Sequence, residues 1–584
     1  MGDKRHNLDD GYLTALLIGP GLAASMLYQT TILSSQSLPY RSPSWLIEPP
    51  YTSNITPSAL TALVHSRRAL VQLTTLCSFV LLLHLIASSF RQRLFANADI
   101  SDALPQSEAR RTLFYCALMC STTLALIAFR SFGHTYVGVR DLWPDLSNFD
   151  VCVISTCYQF TLYLLIRLAR GGFTLGEVGI VAQGATALFM ETVNITRFRI
   201  WPQTTPFVKT FRVPGPLLIF QLALIPGAIL VGFLLSPLLV LSRNLAQKPS
   251  RRLKYPEQRG FQRRALASGF YVGVLLIVGA VIGTWTQWCL EGRNPWLWVI
   301  FWLAEGRSPW SRPGLIAYWF WTALFSIVWW NRLLLRSGRH RVLHPPAAHG
   351  SNTAGTEDDE VGTGRAGLSN VATDLLSTAK RRVSFFSVNA RRKFFHALAV
   401  IMFTPGIALD PAFTHLAFSV AFSVFIFAEY VRYFALYPFG AAVHRFLSEF
   451  LDEKDSGSAI LSHFYLLAGC AGPLWLESPS RLLNFTGVLV LGVGDALASV
   501  AGKRFGRHPW SHASGKTIEG SAAFAISVFS CAVLLQLCGV VEPFSVWRYF
   551  LCTCASALLE AFSTQSDNAV LPFFTTSLLV LAGI

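Results

Sequence analysis

The chain has 584 residues, of which 52% are hydrophobic and only 14% charged, and its mean hydropathy is +0.44. That balance excludes a soluble multidomain protein, whose surface would need far more charge. The formal net charge of +16 would suit nucleic acid, but the cations sit in short stretches between apolar blocks. This is the positive-inside pattern of a membrane protein and requires no nucleic-acid partner.

Taken in chain order, stretches 12–33, 69–90, 112–129, 214–242, 266–286, 314–335, 411–434, 484–501 and 519–538 carry few or no charges. Each approaches the ~20 residues that a helix needs to cross the hydrocarbon core. Weaker blocks lie near 394–410, 459–476 and 546–562. The expected fold is therefore all-α, a polytopic transmembrane helical bundle of roughly 13–16 spans. A β-barrel would instead show period-two alternation. The first block is too long for a signal-peptide core and is read as a first transmembrane helix. The eleven cysteines show no zinc spacing and are read as apolar packing residues.

Two polar insertions organise the chain. The stretch 243–264 is strongly basic, and 336–392 is rich in Gly, Ser, Thr and Ala, with an acidic patch at Glu357, Asp358, Asp359 and Glu360. The expected organisation is an N-terminal multi-spanning region, 1–335, a cytosolic linker, 336–390, and a C-terminal membrane domain, 391–584. Segments 243–264, 336–393 and 502–518 share a basic bias that places them all in the cytosol. An aromatic block at Trp296–Trp302 is then re-entrant or interfacial. Residues 1–335 hold no motif tied to chemistry. Their one notable acid, Glu177 in FTLGEVGIVAQG (173–184), reads either as the partner of an arginine or as functional.

Chemistry concentrates in LVLGVGDALASVAGKRFGRHPWSHASGKTIEGSAAF, residues 489–524. Asp495 is an acid within an apolar helix, an expensive placement that marks a functional candidate. Beyond it, Gly502, Gly506 and Gly515 punctuate a segment carrying Lys503, Arg504, Arg507 and Lys516. Exposed backbone N–H groups beside Lys and Arg are what a polyphosphate needs. The plain alternative is a basic loop capping two membrane helices. A Walker A loop is excluded because Trp510 stands where its first glycine belongs, and Gly492-x-Gly494 followed by Leu497 is not a dinucleotide fingerprint.

GDALASVAGKRFGRHPW followed by GKTIEGS resembles the CTP-binding region of the dolichol kinases and, more distantly, phytol kinases and phosphatidate cytidylyltransferases. RRKFFHALAVIMFTPGI (391–407), AEYVRYFALYPFG (428–440), DEKDSGSAILSHFYLLAGCAGPLWL (452–476) and LLEAFSTQSDNAVLPFF (558–574) resemble segments of the same family in the same order. The resemblance implies transfer of the γ-phosphate of CTP to dolichol, giving dolichyl phosphate for protein glycosylation. It also implies an endoplasmic reticulum membrane location with the site facing the cytosol. The residues it singles out are Asp495, His396 and Lys393 as catalytic, and Gly502, Lys503, Arg504, Gly506, Arg507, Gly515, Lys516, Thr517 and Glu519 for CTP. Asp495 and Asp567 would ligate Mg²⁺, whose hard oxygen ligands are completed by phosphates and water; the plain alternative is that both acids pair with lysine or arginine. The base is either His396 or Asp495. Rival readings are a kinase for phytol or farnesol, a CTP-dependent cytidylyltransferase, and a multi-pass transporter or scaffold. Glu429 and Arg432, three apart on a helix, are expected to pair.

Overall fold

In lipid, a long apolar segment can satisfy its own backbone only as a helix, and the computed structural model is built almost wholly of helices. It describes residues 11–36, 59–94, 108–132, 141–169, 173–202, 208–248, 258–306, 310–343, 388–448, 459–511, 514–563 and 565–584. Residues 344–387 of the expected linker, the middle of the basic insertion and the run Asp452–Asp455 lie outside these.

The N-terminal region comprises α1 (Tyr12–Ser35), α2 (Ala59–Leu94), α3 (Glu108–Phe132), α4 (Asn148–Ala169), α5 (Leu175–Ile200), α6 (Pro216–Leu234), α7 (Ser236–Gln247), α8 (Arg259–Cys289), α9 (Pro295–Ala304) and α10 (Ser311–Leu343). The C-terminal region comprises α11 (Val388–Leu409), α12 (Pro411–Tyr433), α13 (Gly440–Ser448), α14 (Ser462–Trp475) and α15 (Arg481–Phe505). A short antiparallel hairpin follows, β1 (Pro509–Ser511) and β2 (Ser514–Thr517), and then α16 (Ile518–Leu537), α17 (Val546–Phe562) and α18 (Asp567–Leu581). Among the described residues, eleven helices are long and apolar enough to cross a membrane. Two shorter apolar helices, α9 and α18, accompany them, and the eleven long helices fall below the expected 13–16 spans.

At ten residues, α9 is only ~15 Å long, which suits the re-entrant or interfacial reading of the Trp296–Trp302 block. The amphipathic α13 was not anticipated. Gly502 does not open a loop: α15 continues to Phe505 and α16 begins at Ile518, so the connection is shorter than 502–518 and contains the β-hairpin.

Packing joins the two membrane regions. One core cluster centres on Phe485, Val488, Leu491, Phe524 and Val528 and takes in Leu217, Leu218 and Ile219 of α6. Another unites α1, α2, α4 and α5 and includes Leu461, Tyr465, Ala569 and Val570 from the C-terminal region. The N-terminal and C-terminal membrane regions therefore share both cores.

Candidate active site

The site is built around a local irregularity in α15, which changes from α to π geometry over Val488–Asp495. Such wide turns recur at functional positions because they re-aim side chains and carbonyls. Here α11 packs directly against the π stretch. Gly492 permits that contact, since a Cβ there would stand 2.3 Å from Cγ2 of Val400.

The close approach brings Lys393 and His396 of α11 to Asp495. Lys393 Nζ donates to Asp495 Oδ2 at 2.7 Å and to the Asp495 carbonyl at 2.9 Å. His396 Nδ1 lies 2.8 Å from the Leu491 carbonyl and 3.1 Å from Asp495 Oδ2. Both neighbours are acceptors, so Nδ1 carries the hydrogen in the neutral ring, which leaves Nε2 as the basic nitrogen. The three residues expected to be catalytic, 102 positions apart in sequence, thus form one cluster.

A second cluster lies within electrostatic reach of the first. Lys516 Nζ is 3.1 Å from Glu560 Oε1 and 3.5 Å from Asp567 Oδ1, and it also donates to the Glu560 carbonyl. Burial alone would lower the Lys516 pKa, but Asp567 and Glu560, with a smaller contribution from Asp495, more than offset this and hold it above the usual lysine value. Lys516 is therefore a fixed cation in an acidic corner. Glu560 at the end of α17 completes this cluster, although the sequence reading gave it no role. Its signal was an acid inside an apolar helix, the same signal that singled out Asp495.

The remaining residues expected at the nucleotide divide into two groups. Lys503, Arg504 and Arg507 are exposed on the last turn of α15 and just beyond it, and Gly506 and Gly515 are exposed with them. Gly502, Thr517 and Glu519 make contacts within the framework. Gly502 and Gly520 face each other where α15 crosses α16: a Cβ on Gly502 would meet Thr517 Oγ1 at 3.0 Å and Gly520 Cα at 3.8 Å. Gly502 therefore permits a close helix crossing at the end of α15. Thr517 caps α16 by accepting from Gly520 N–H at 3.2 Å. Glu519 binds His508, whose Nδ1 is 2.7 Å away and whose backbone N–H donates at 3.2 Å, and so it clamps the hairpin. Trp510 fixes the other side, donating to Ser521 Oγ at 3.0 Å and packing edge-on against Phe562 at 5.1 Å.

Asp495 and Asp567 are each paired with a lysine, as the plain alternative had it, and no trio of His, Cys, Asp or Glu forms a ready-made metal cluster among the described residues. Nevertheless, Asp567 Oδ1 and the neighbouring Asn568 Oδ1 are buried and accept no hydrogen bond. Three carboxylates, Asp495, Glu560 and Asp567, also face only two lysines. Unfilled oxygen acceptors and an excess of negative charge fit a hard divalent cation. Away from this corner, Glu429 and Arg432 pair at 2.5 Å as expected, and Glu429 also accepts from Ile460 N–H at 2.9 Å.

Residues 372–482 match the family model described as dolichol kinase. A dolichol kinase of Schizosaccharomyces pombe is 44% identical over 193 residues, covering 32% of this chain and 38% of that protein. One from Arabidopsis thaliana is 28% identical over 416 residues, covering 70% of this chain and 64% of that protein. The Homo sapiens dolichol kinase is 38% identical over 202 residues, covering 32% and 37%. The matches therefore span less than two thirds of these relatives' own length. No solved structure matches. The family match includes Lys393, His396, Glu429 and Arg432 and ends before Asp495 and the hairpin. By sequence, this multi-pass membrane protein is similar to the dolichol kinases over part of its length, and the family match includes the helix that brings Lys393 and His396 to the site.

Proposed function

We propose that the chain transfers the γ-phosphoryl group of CTP to the terminal hydroxyl of dolichol, yielding dolichyl phosphate and CDP, in the endoplasmic reticulum membrane with the site facing the cytosol. The observation that carries this reading is the convergence of Lys393 and His396 on Asp495, next to the Lys516–Glu560–Asp567 corner and below an exposed basic turn. Phosphoryl transfer demands positioning and charge neutralisation more than covalent chemistry, and these parts supply both. The choice of dolichol and CTP follows the relatives' printed name and the resemblance of the 495–520 segment.

Lys503, Arg504 and Arg507 attract the triphosphate to the mouth of the site, and Lys516 holds it from below. The lipid hydroxyl enters from the bilayer at the level of His396. Its oxygen attacks the γ-phosphorus, its proton passes to His396 Nε2, and the bond to the β-phosphate oxygen breaks to release CDP. Asp495 orients the imidazole through Nδ1 and stabilises its protonated form. Lys393 holds Asp495 in place through their ion pair. Mg²⁺ would be held by Asp567, with the Asn568 oxygen beside it, and by Asp495, the phosphates and water completing its shell, and when bound it would supply charge neutralisation of the phosphate oxygens. The isoprenoid tail remains among lipids, which removes any need for a deep soluble pocket.

The test is a membrane assay with γ-labelled CTP and dolichol, with ATP as competitor. Label in the lipid together with CDP in solution is the expected result. Label in released pyrophosphate would indicate cytidylyl transfer instead, and phytol or farnesol outcompeting dolichol would reassign the acceptor.

A further inference from the structure

Glu177 of the N-terminal region is completely buried, and its setting begins as an ordinary helix start. Thr174 is the N-cap of α5, Glu177 stands three residues on, and the two form a capping box. Thr174 N–H donates to Glu177 Oε2 at 3.1 Å, and Glu177 N–H donates to Thr174 Oγ1 at 3.3 Å. A capping box uses one carboxylate oxygen and is normally found at a solvated helix end. Here the second oxygen, Oε1, accepts the backbone N–H of Ser566, 389 residues away, and the Thr174 hydroxyl donates to Gln565 Oε1. Gly176 makes room for this junction, since a Cβ there would stand 2.4 Å from the Gly11 carbonyl at the start of α1.

Ser566 is itself the N-cap of α18, and the first residue of that helix is Asp567. A carboxylate excluded from water is costly unless fixed donors hold it. The donors holding this one belong to the two chain segments that must stay in register for Asp567 to face Lys516. We propose that Glu177 is a positioning residue for phosphoryl transfer, acting through the Gln565–Ser566 backbone to set Asp567 against Lys516. The N-terminal membrane region thereby becomes part of the active site's support. This rests on the CTP-dependent kinase reading above.

The experiment uses the full chain, purified into lipid nanodiscs, and compares Glu177→Ala, Glu177→Gln and Glu177→Asp with the wild type. Amide hydrogen exchange at Ser566 and Asp567 is measured alongside steady-state kinetics over a range of Mg²⁺ and CTP concentrations. For Glu177→Ala, exchange at these two amides rises, and the Mg²⁺ and CTP concentrations for half-maximal rate rise about 10-fold, the usual scale for removing a group that orients a ligand-binding residue. Glu177→Gln keeps one acceptor oxygen and recovers most of the loss. Unchanged exchange in Glu177→Ala overturns the contact, and raised exchange with unchanged kinetics overturns the positioning role. If Glu177→Ala does not accumulate, Glu177→Asp decides alone: its shorter side chain cannot reach Thr174 N–H and Ser566 N–H together, so exchange and half-saturation both rise, and both at wild-type values overturn the proposal. A wild type that exchanges normally but transfers no phosphate from CTP to dolichol defeats the kinase reading itself, leaving Glu177 as a structural clamp.

Discussion

Among the described residues, two of the buried charged clusters differ in how their charges are balanced. In the first, Arg212 donates to both oxygens of Glu191, to Gln221 and to the Trp475 carbonyl, while Arg67 donates to Thr30 and to the carbonyls of Met26 and Phe211. Glu191 also accepts the Phe211 N–H at 3.1 Å. These contacts tie α1, α2, α5 and α6 to the end of α14. The second cluster, Lys393, His396, Asp495, Lys516, Glu560 and Asp567, has an excess of carboxylate and leaves Asp567 Oδ1 and Asn568 Oδ1 without hydrogen bonds. A buried charge in a membrane segment is a functional candidate by default. The comparison sharpens that rule: a charge-balanced arginine–glutamate pair locks helices together, whereas a corner with more carboxylates than lysines beside exposed cations is arranged to receive something.

The sharpest way to break the comparison is Asp495→Asn. Asn keeps the size but removes the charge that orients His396 and neutralises Lys393, so turnover should fall by about 1,000-fold, the scale of losing a preorganised electrostatic group. Insertion and accumulation should persist. Near-normal turnover across Mg²⁺ concentrations would make this acid structural and place it with the Arg212 cluster.

Arg212→Met should show the opposite pattern. It strands Glu191, which is 2% exposed, without its countercharge, a loss of about 3–5 kcal/mol in stability. Thermal unfolding in detergent should register this as a lower midpoint, while molecules that remain folded turn over at the wild-type rate. Lost turnover at unchanged stability would move Arg212 into the active machinery.

Lys516→Ala should weaken CTP binding about 10-fold, on the scale of lost ligand-positioning groups, and excess CTP should restore much of the rate. A fall in maximal rate with unchanged half-saturation would assign Lys516 to the transition state alone. The smallest effects belong to the surface. Replacing Lys503, Arg504 or Arg507 singly by Ala should raise the half-saturating CTP concentration only about two- to five-fold, because exposed charges are screened. The difference from wild type should shrink as salt is added. An effect that resists salt would place that side chain in direct, dehydrated contact with phosphate.

Sequence by itself determined the membrane architecture, because uninterrupted apolar length and backbone satisfaction in lipid leave a helix as the only solution. It also singled out Asp495, because an acid within an apolar helix is costly, and Lys516 as a cation of a glycine-punctuated basic segment, while Lys393, His396 and Asp567 stood out through the family resemblance. It placed Asp567 at the same end as Lys516 by counting crossings, and the 3.5 Å contact agrees. Tertiary structure decided what no local pattern carries. The π stretch of α15 and the gap at Gly492 set the distance from Asp495 to α11. Gly502, Thr517 and Glu519 gain a helix crossing, a helix cap and a hairpin contact that only the packed structure shows. Glu560 entered the site only because α17 ends where the hairpin docks. The bond from Glu177 to Ser566 joins residues nearly four hundred positions apart, and its energy depends on a buried geometry that exists only after both halves have packed.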